Sequence, residues 1–551
     1  LDLAASTMGG TFSGTATTGD ISDRGTLTIT QAATFITTAS GRSIILDESD
    51  SVFTSTVTMQ AGNGSNAVFD NITFVDSAAV KLHSSAASAG DLYINATGLA
   101  VGGNLIITAT TGDITHGAAV TVTGTSSFTT LATDADIDLN SFANAFTDAV
   151  TLTTYGSSAN AEIDNGTTIL KIAESTVRGN LTLTSGASTS GSNYAIMDTG
   201  TLNVSGNLIA TTDDNDGVID LGSLAVNGSF DLTTDGSGNA TVVNATALNF
   251  IASGIGGNLS ATATTGNITQ STGALTVGGT TTLVTTAQGA TIELNTITSN
   301  AFTGELLITT NDNDSPADTI YVAHVKIDGG TTNLIIGTST IDGDLTLLSG
   351  GTITDTDSST VTVKGDLSAT TDASNSAITL NDLAVTGSVD LATHGSGDAT
   401  LVNATALDFE VSTVGGELTA TATTGDITQS GSLDINGTGT TTITASASGA
   451  DITLFNAAND FEGAVSTTGH DVKLWTADTM NLGAATIAGD YTVYAGTTID
   501  DSGAQVITGD ATFKTHAASS QITFDHEDND FGVSFNPVGG IGYLVNDTSA
   551  D

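Results

Sequence analysis

An all-β fold, a parallel β-solenoid with coils of about 22 residues, is what this sequence predicts, and three observations carry the reading. The first is a short period. A Gly-polar-apolar triplet recurs as Gly343-Asp344-Leu345, Gly365-Asp366-Leu367 and Gly387-Ser388-Val389, at steps of 22 and 22. Gly206-Asn207-Leu208 and Gly228-Ser229-Phe230 repeat that step, and Gly489-Asp490-Tyr491 and Gly509-Asp510-Ala511 stand 20 apart. The second is strict two-residue alternation after each triplet, rich in Val, Ile and Thr and bounded by Gly, Asn, Asp and Ser, which is a strand signal. The third is composition: 2 Pro, 1 Trp and 5% aromatic residues in 551 suit a narrow core of small apolar side chains in unbroken ladders.

Each unit of that length is too small to bury its own apolar face and must stack on the next. Stacking puts Leu345, Leu367 and Val389 in one inward column, and Leu208 and Phe230 in another. Tandem β-sandwich domains are the alternative. They run to about 100 residues and anchor their cores on aromatics, which the short step and the single Trp475 do not match.

Taken in chain order, residues 1–89 read as irregular N-terminal coils. Residues 90–243, 244–402 and 403–535 read as long repeats, the last including the C-terminal coils. The long period is explicit: GSFDLTTDGSGNATVVNATALNF from Gly228 returns from Gly387 as GSVDLATHGSGDATLVNATALDF, an offset of 387 − 228 = 159. A second marker, Phe146, Phe302 and Phe461, keeps steps of 156 and 159, with Phe53 and Phe531 as irregular copies. The strand pattern is expected to stop near Phe535, where Asn536-Pro537 breaks it. Residues 536–551 then form a tail that either caps its own chain or adds as a strand to a neighbour.

The net charge is −50, from 59 Asp+Glu against only 9 Lys+Arg. Such a surface repels phosphate backbones, so nucleic acid is excluded as a partner. It attracts divalent cations. No stretch approaches 18 consecutive apolar residues, so no helical membrane insertion is expected. The absence of Cys removes thiolate metal sites, disulfides and cysteine redox chemistry. Leu1-Asp2-Leu3 opens without a leader pattern and reads as a processed product or a section of something longer. Missing Cys, few basic cleavage sites and a Thr/Ser/Asn-rich surface point to an extracellular or cell-surface location.

Three elements carry a family resemblance: Asn-Asp-Phe-x-Gly-x-Val at Asn459–Val465, the Gly-[Asn/Asp]-Leu strand starts, and Thr-Gly-Asp-Ile-Thr-Gln-Ser at Thr424–Ser430. The chain resembles the filamentous-haemagglutinin-like bacterial surface exoproteins and adhesins of type V, including two-partner, secretion. The likeness is clearest from about Gly387 to Phe513. It implies a right-handed parallel β-helix, export, and a role in adhesion, biofilm or surface structure. It implies no catalytic residues.

The titratable and aromatic residues agree. The seven His are scattered and lack metal-ligand spacing; His116 and His394 read as solvent-exposed turn residues. Three Arg, seven Tyr and one Trp offer little to hold an acidic or a neutral sugar in a polysaccharide-degrading site. The best ligand candidates are acidic turns: Asp213, Asp214 and Asp216; Asp312 and Asp314; and Asp525, Asp528 and Asp530. They resemble Ca²⁺ loops in composition, although none fits the EF-hand spacing, and solvated turns are the competing reading. The expected function is an extracellular structural or adhesive β-helical rod, an adhesin stalk or subunit of a surface filament or matrix, without catalysis and with no established cofactor, Ca²⁺ being the one candidate. A lateral glycan- or receptor-binding module is the alternative, and a polysaccharide-degrading β-helix the third. Homopolymerisation through the rod ends is a further expectation, because terminal coils expose unpaired backbone groups.

Overall fold

The protein is described by a computed structural model covering residues 1–62, 70–83, 91–94, 99–186, 193–311, 322–437, 439–517, 520–532, 534–538 and 543–545 of the 551. The chain divides into two compact units, Leu1–Thr265 with Leu275–Gly279, and Gly266–Ala274 with Thr280–Asp551. Among the described residues there is no helix, and within each unit short strands stack in parallel, coil upon coil. The chain is a parallel β-solenoid.

In the second unit, Leu345 pairs with Leu367 and Leu367 with Val389, the register that the short sequence step requires. All three are at most 1% exposed. In the first unit Leu208 pairs with Phe230, and the column continues backward through Leu181, Ala161, Ile137 and Ile114. Burial alternates along the strands, as in the buried-outward-buried pattern of Ala240–Asn244 and Thr441–Ala445. The interior is wider than the low aromatic content suggests. Tyr491 and ten of the phenylalanines, among them Phe35, Phe128, Phe230 and Phe409, are fully buried. Most of the scarce rings are therefore core.

The triplet has a physical cause. Gly365 donates its N–H to the Gly343 carbonyl at 3.0 Å, and a Cβ on Gly365 would lie 2.8 Å from that carbonyl carbon. Gly206 sits on Gly179 in the same way, with 2.7 Å left for a Cβ. Neither position has room for a side chain. The residue after the glycine faces outward, and the third faces the core.

The recurring phenylalanines also have a cause. Phe53, Phe146, Phe302, Phe461 and Phe531 are all buried, and each follows, two positions on, a buried polar residue: Ser51, Asn144, Asn300, Asn459 or Asn529. Asn144 Oδ1 accepts the Val120 N–H (2.8 Å), Asn459 Oδ1 that of Leu433 (2.9 Å) and Asn529 Oδ1 that of Gln505 (2.9 Å), while Ser51 Oγ accepts from Leu27 (3.0 Å). A side chain thus supplies a backbone rung where the chain bends away from the ladder. Phe then fills the corner beside it.

Two expectations are corrected. His116 is not a solvent-exposed turn residue: it ends the strand Ile114–His116, is 6% exposed, contacts the Ala118 carbonyl through Nδ1 and accepts the Ser141 N–H at Nε2 (3.1 Å). Burial pushes its pKa down. Nor does Asn536-Pro537 end the strand pattern. Ser534–Val538 is a strand on Asp510–Thr515, with Phe513 opposite Pro537. Among the described residues that strand pairs on one side only, and an edge strand tolerates the missing Pro N–H. Tyr543–Val545 then pairs in parallel with Ile522–Phe524 of its own chain. His394 is exposed beside its turn, as expected.

Candidate functional site

Outward carboxylates and carboxamides form ladders of their own. In the first unit the Oδ1 atoms of Asp113, Asp136, Asn160, Asn180 and Asn207 each accept the backbone N–H of the matching residue one coil on, at 2.7–2.9 Å. In the second unit Asp344 accepts from Asp366 and Asp366 from Ser388. Further along, Asp426, Asp451, Asp471 and Asp490 accept in turn from Asp451, Asp471, Asp490 and Asp510, at 2.8–2.9 Å. Asp and Asn alternate freely because only the acceptor oxygen is needed. That is one structural source of a chain with so many acids and so few bases.

The all-Asp column holds the densest cluster of potential ligands. His470 Nδ1 lies 3.2 Å from Asp451 Oδ1 and 3.4 Å from Asp471 Oδ1, and the three ligand atoms lie within 4.8 Å of one another. Among the described residues this is the only set of three His, Asp or Glu gathered so closely. Its members are not adjacent acidic residues in the sequence. The available signal was the spacing of Asp451, Asp471, Asp490 and Asp510, at steps of 20, 19 and 20, the first three just ahead of a strand and the last opening one.

The acidic turns that resemble Ca²⁺ loops in sequence lie elsewhere. Asp213 and Asp214 are exposed, and the Asp213 carboxyl is held above its usual range by partial burial and by Asp164, Asp214 and Asp235. Asp216 takes a left-handed backbone (φ 53°), and its Oδ1 accepts the Ser237 N–H at 2.7 Å. Asp134 does the same work on the coils before it. Its Oδ1 accepts from Ser158 and Ser157, and these bonds lower its pKa. Asp525 donates its N–H to Asp501 Oδ1, Asp528 donates to His526 Nδ1, and Asp530 opens the two-residue strand Asp530–Phe531. Asp312 and Asp314 lie outside the described residues.

Stacked carboxylates repel. At the ~4.8 Å spacing of strands, two unit charges in bulk water cost each other about 1 kcal/mol. Divalent cations bound only by the folded chain would offset this. Chelator in low-salt buffer is therefore expected to lower the melting temperature, and millimolar Ca²⁺ to restore it. A melt indifferent to both would leave these aspartates as backbone acceptors alone.

Continuous parallel ladders, columns of inward aliphatic residues and outward acceptor ladders define a repeat protein of the β-solenoid class. Six stretches, residues 1–60, 84–153, 237–309, 322–395, 396–468 and 469–536, match a family described as repeats of unknown function (DUF5649). They cover most of the chain, which belongs to that family. The stretches beginning at 237 and 396 are offset by 396 − 237 = 159, the long period seen in the sequence. No curated protein and no solved structure matches the chain.

Proposed function

We propose that the chain is a structural and adhesive segment of an extracellular or cell-surface bacterial protein, an adhesin stalk or a subunit of a surface filament or matrix, and that it acts without catalysis. The observation that supports this reading is the continuity of the inter-coil bonding. Backbone rungs, Asp/Asn side-chain rungs and aliphatic columns all join one coil to the next. Load along the stacking direction is shared among many parallel bonds, and few strand edges are left for proteases or for aggregation. The resemblance to filamentous-haemagglutinin-like exoproteins supports a surface location.

Antibody labelling of intact and permeabilised source cells tests the location. Intact cells are expected to label, and to lose the label on protease shaving. Label confined to permeabilised cells overturns the proposal.

A further inference from the structure

The chain's only Trp does not stand alone. On the outward side of Val472–Thr476, Trp475 packs against Phe455 (ring centroids 5.1 Å), Tyr494 (5.7 Å) and His516 (5.3 Å, interplanar 10°). Tyr494 in turn meets Phe455 at 4.9 Å and His516 at 5.7 Å. Phe455, Trp475 and Tyr494 are half-buried, and His516 is exposed. Other outward aromatics, such as Phe142, Tyr155 and Tyr194, lie far along the chain in the first unit.

Register organises the rest of this face. Thr453, Lys473, Thr492 and Thr512 are cross-strand partners in one outward column, and Trp475, Tyr494 and Lys514 in the next. Two residues before the Thr/Lys column runs the aspartate column, Asp451, Asp471, Asp490 and Asp510. Strands ~4.8 Å apart and ~3.3 Å per residue give three columns about 13 Å across and four coils about 14 Å long. That is the footprint of a short oligosaccharide.

We propose that this face binds an uncharged polysaccharide laid across the coils. A pyranose ring has an apolar C–H face, which suits an aromatic platform, and a hydroxyl rim, which suits carboxylate acceptors with ammonium and hydroxyl donors beside them. The face offers those parts in adjacent columns. Its charges select against other ligands. A polyanion meets the aspartate column and a chain of net charge −50. An organic cation drawn to the rings meets the like charges of Lys473 and of Lys514, whose Nζ lies 5.2 Å from the Tyr494 ring centroid. This inference goes beyond the structural role, which stands whether or not the face binds sugar.

Because Trp475 is the only tryptophan, its fluorescence reports this face and nothing else. The intact chain is titrated with soluble uncharged glucans, mannans, xylans and galactans, with polygalacturonate as polyanion and polylysine as polycation. At least one uncharged polysaccharide is expected to give a saturable emission shift and to retard the protein in an affinity gel. Lys473→Met leaves the aromatic cluster in place but removes the ammonium donor from the middle column. It is expected to weaken binding about ten-fold or more with an unchanged melt. Tyr494→Ala is expected to weaken it as well. No shift with any uncharged polysaccharide overturns the proposal, and so does binding that survives both substitutions. A response to polylysine alone makes the face a cation-binding surface and equally overturns it.

Discussion

Asn403→Ala is expected to lower the stability of the second unit by about 2–4 kcal/mol, read as a lower urea midpoint at an unchanged slope. Asn403 closes the strand Ala399–Asn403 and is fully buried. Its Oδ1 accepts the Val385 N–H at 2.8 Å, and its Nδ2 donates to the Val385 carbonyl (3.0 Å), Thr405 Oγ1 (3.1 Å) and the Ala406 carbonyl (2.7 Å). Thr405 also donates to the Val385 carbonyl, so that oxygen keeps a partner after truncation. The Val385 N–H does not, and one buried orphan donor costs about 1–3 kcal/mol before the lost contacts are counted. Thr370→Ala, at an outward position of Leu367–Thr371, is the control and is expected to stay within about 0.5 kcal/mol of the parent. Equal midpoints for the two variants would show that the asparagine rung is dispensable.

Asp76→Asn is expected to stabilise the first unit at pH 7.5 and to flatten its pH dependence. Asp76 ends the strand Ile72–Asp76, as Asn244 ends Ala240–Asn244 and Asn403 ends Ala399–Asn403. Like them it accepts an N–H from the preceding coil, here that of Phe53 at 3.4 Å, and it also accepts from Ala78 at 3.3 Å. It is 2% exposed, and burial pushes its pKa up from 3.8 to about 6 against the lowering effect of those bonds. A raised carboxyl pKa means that the folded chain holds a proton the unfolded chain has released. Stability is therefore highest below about pH 4 and falls as pH rises through the window from about 4 to 6, by up to about 3 kcal/mol. Asp23, whose pKa burial also raises to about 6, adds in the same direction. Asparagine carries no charge at any pH and has the Nδ2 donor that Asn244 directs to the Val226 and Ala247 carbonyls. The variant should melt higher than the parent at pH 7.5 and close to it at pH 4.5. A parent melt that rises steadily from pH 4.5 to 7.5 would contradict the sign.

Periodicity made the architecture legible before any coordinates. The sequence step between Leu345, Leu367 and Val389 is the length of one coil. A column of inward residues in a solenoid must repeat at that length, so sequence spacing translates directly into cross-strand register. Glycine and proline were legible for the same reason, since inter-coil backbone contact leaves no space at Gly365 and central ladders leave no place for Pro. Pro537 does not break the pattern because, among the described residues, Ser534–Val538 pairs on one side only, and which sides of a strand are paired is a tertiary fact.

The candidate site was not legible. The acidic runs at Asp213–Asp216 and Asp525–Asp530 drew attention because their residues are adjacent in sequence. Neighbours along a strand, however, alternate between faces or spread around a turn. Asp451 stands one coil before His470 and Asp471, and Phe455, Trp475, Tyr494 and His516 follow one another a coil at a time. They meet only because the stacking brings them into register. The sequence determined the coil, its columns and the sign of its charge, since each of these repeats from coil to coil. Which single, unrepeated side chains share a face was decided by the number of residues in each intervening turn, and only the stacked structure shows that.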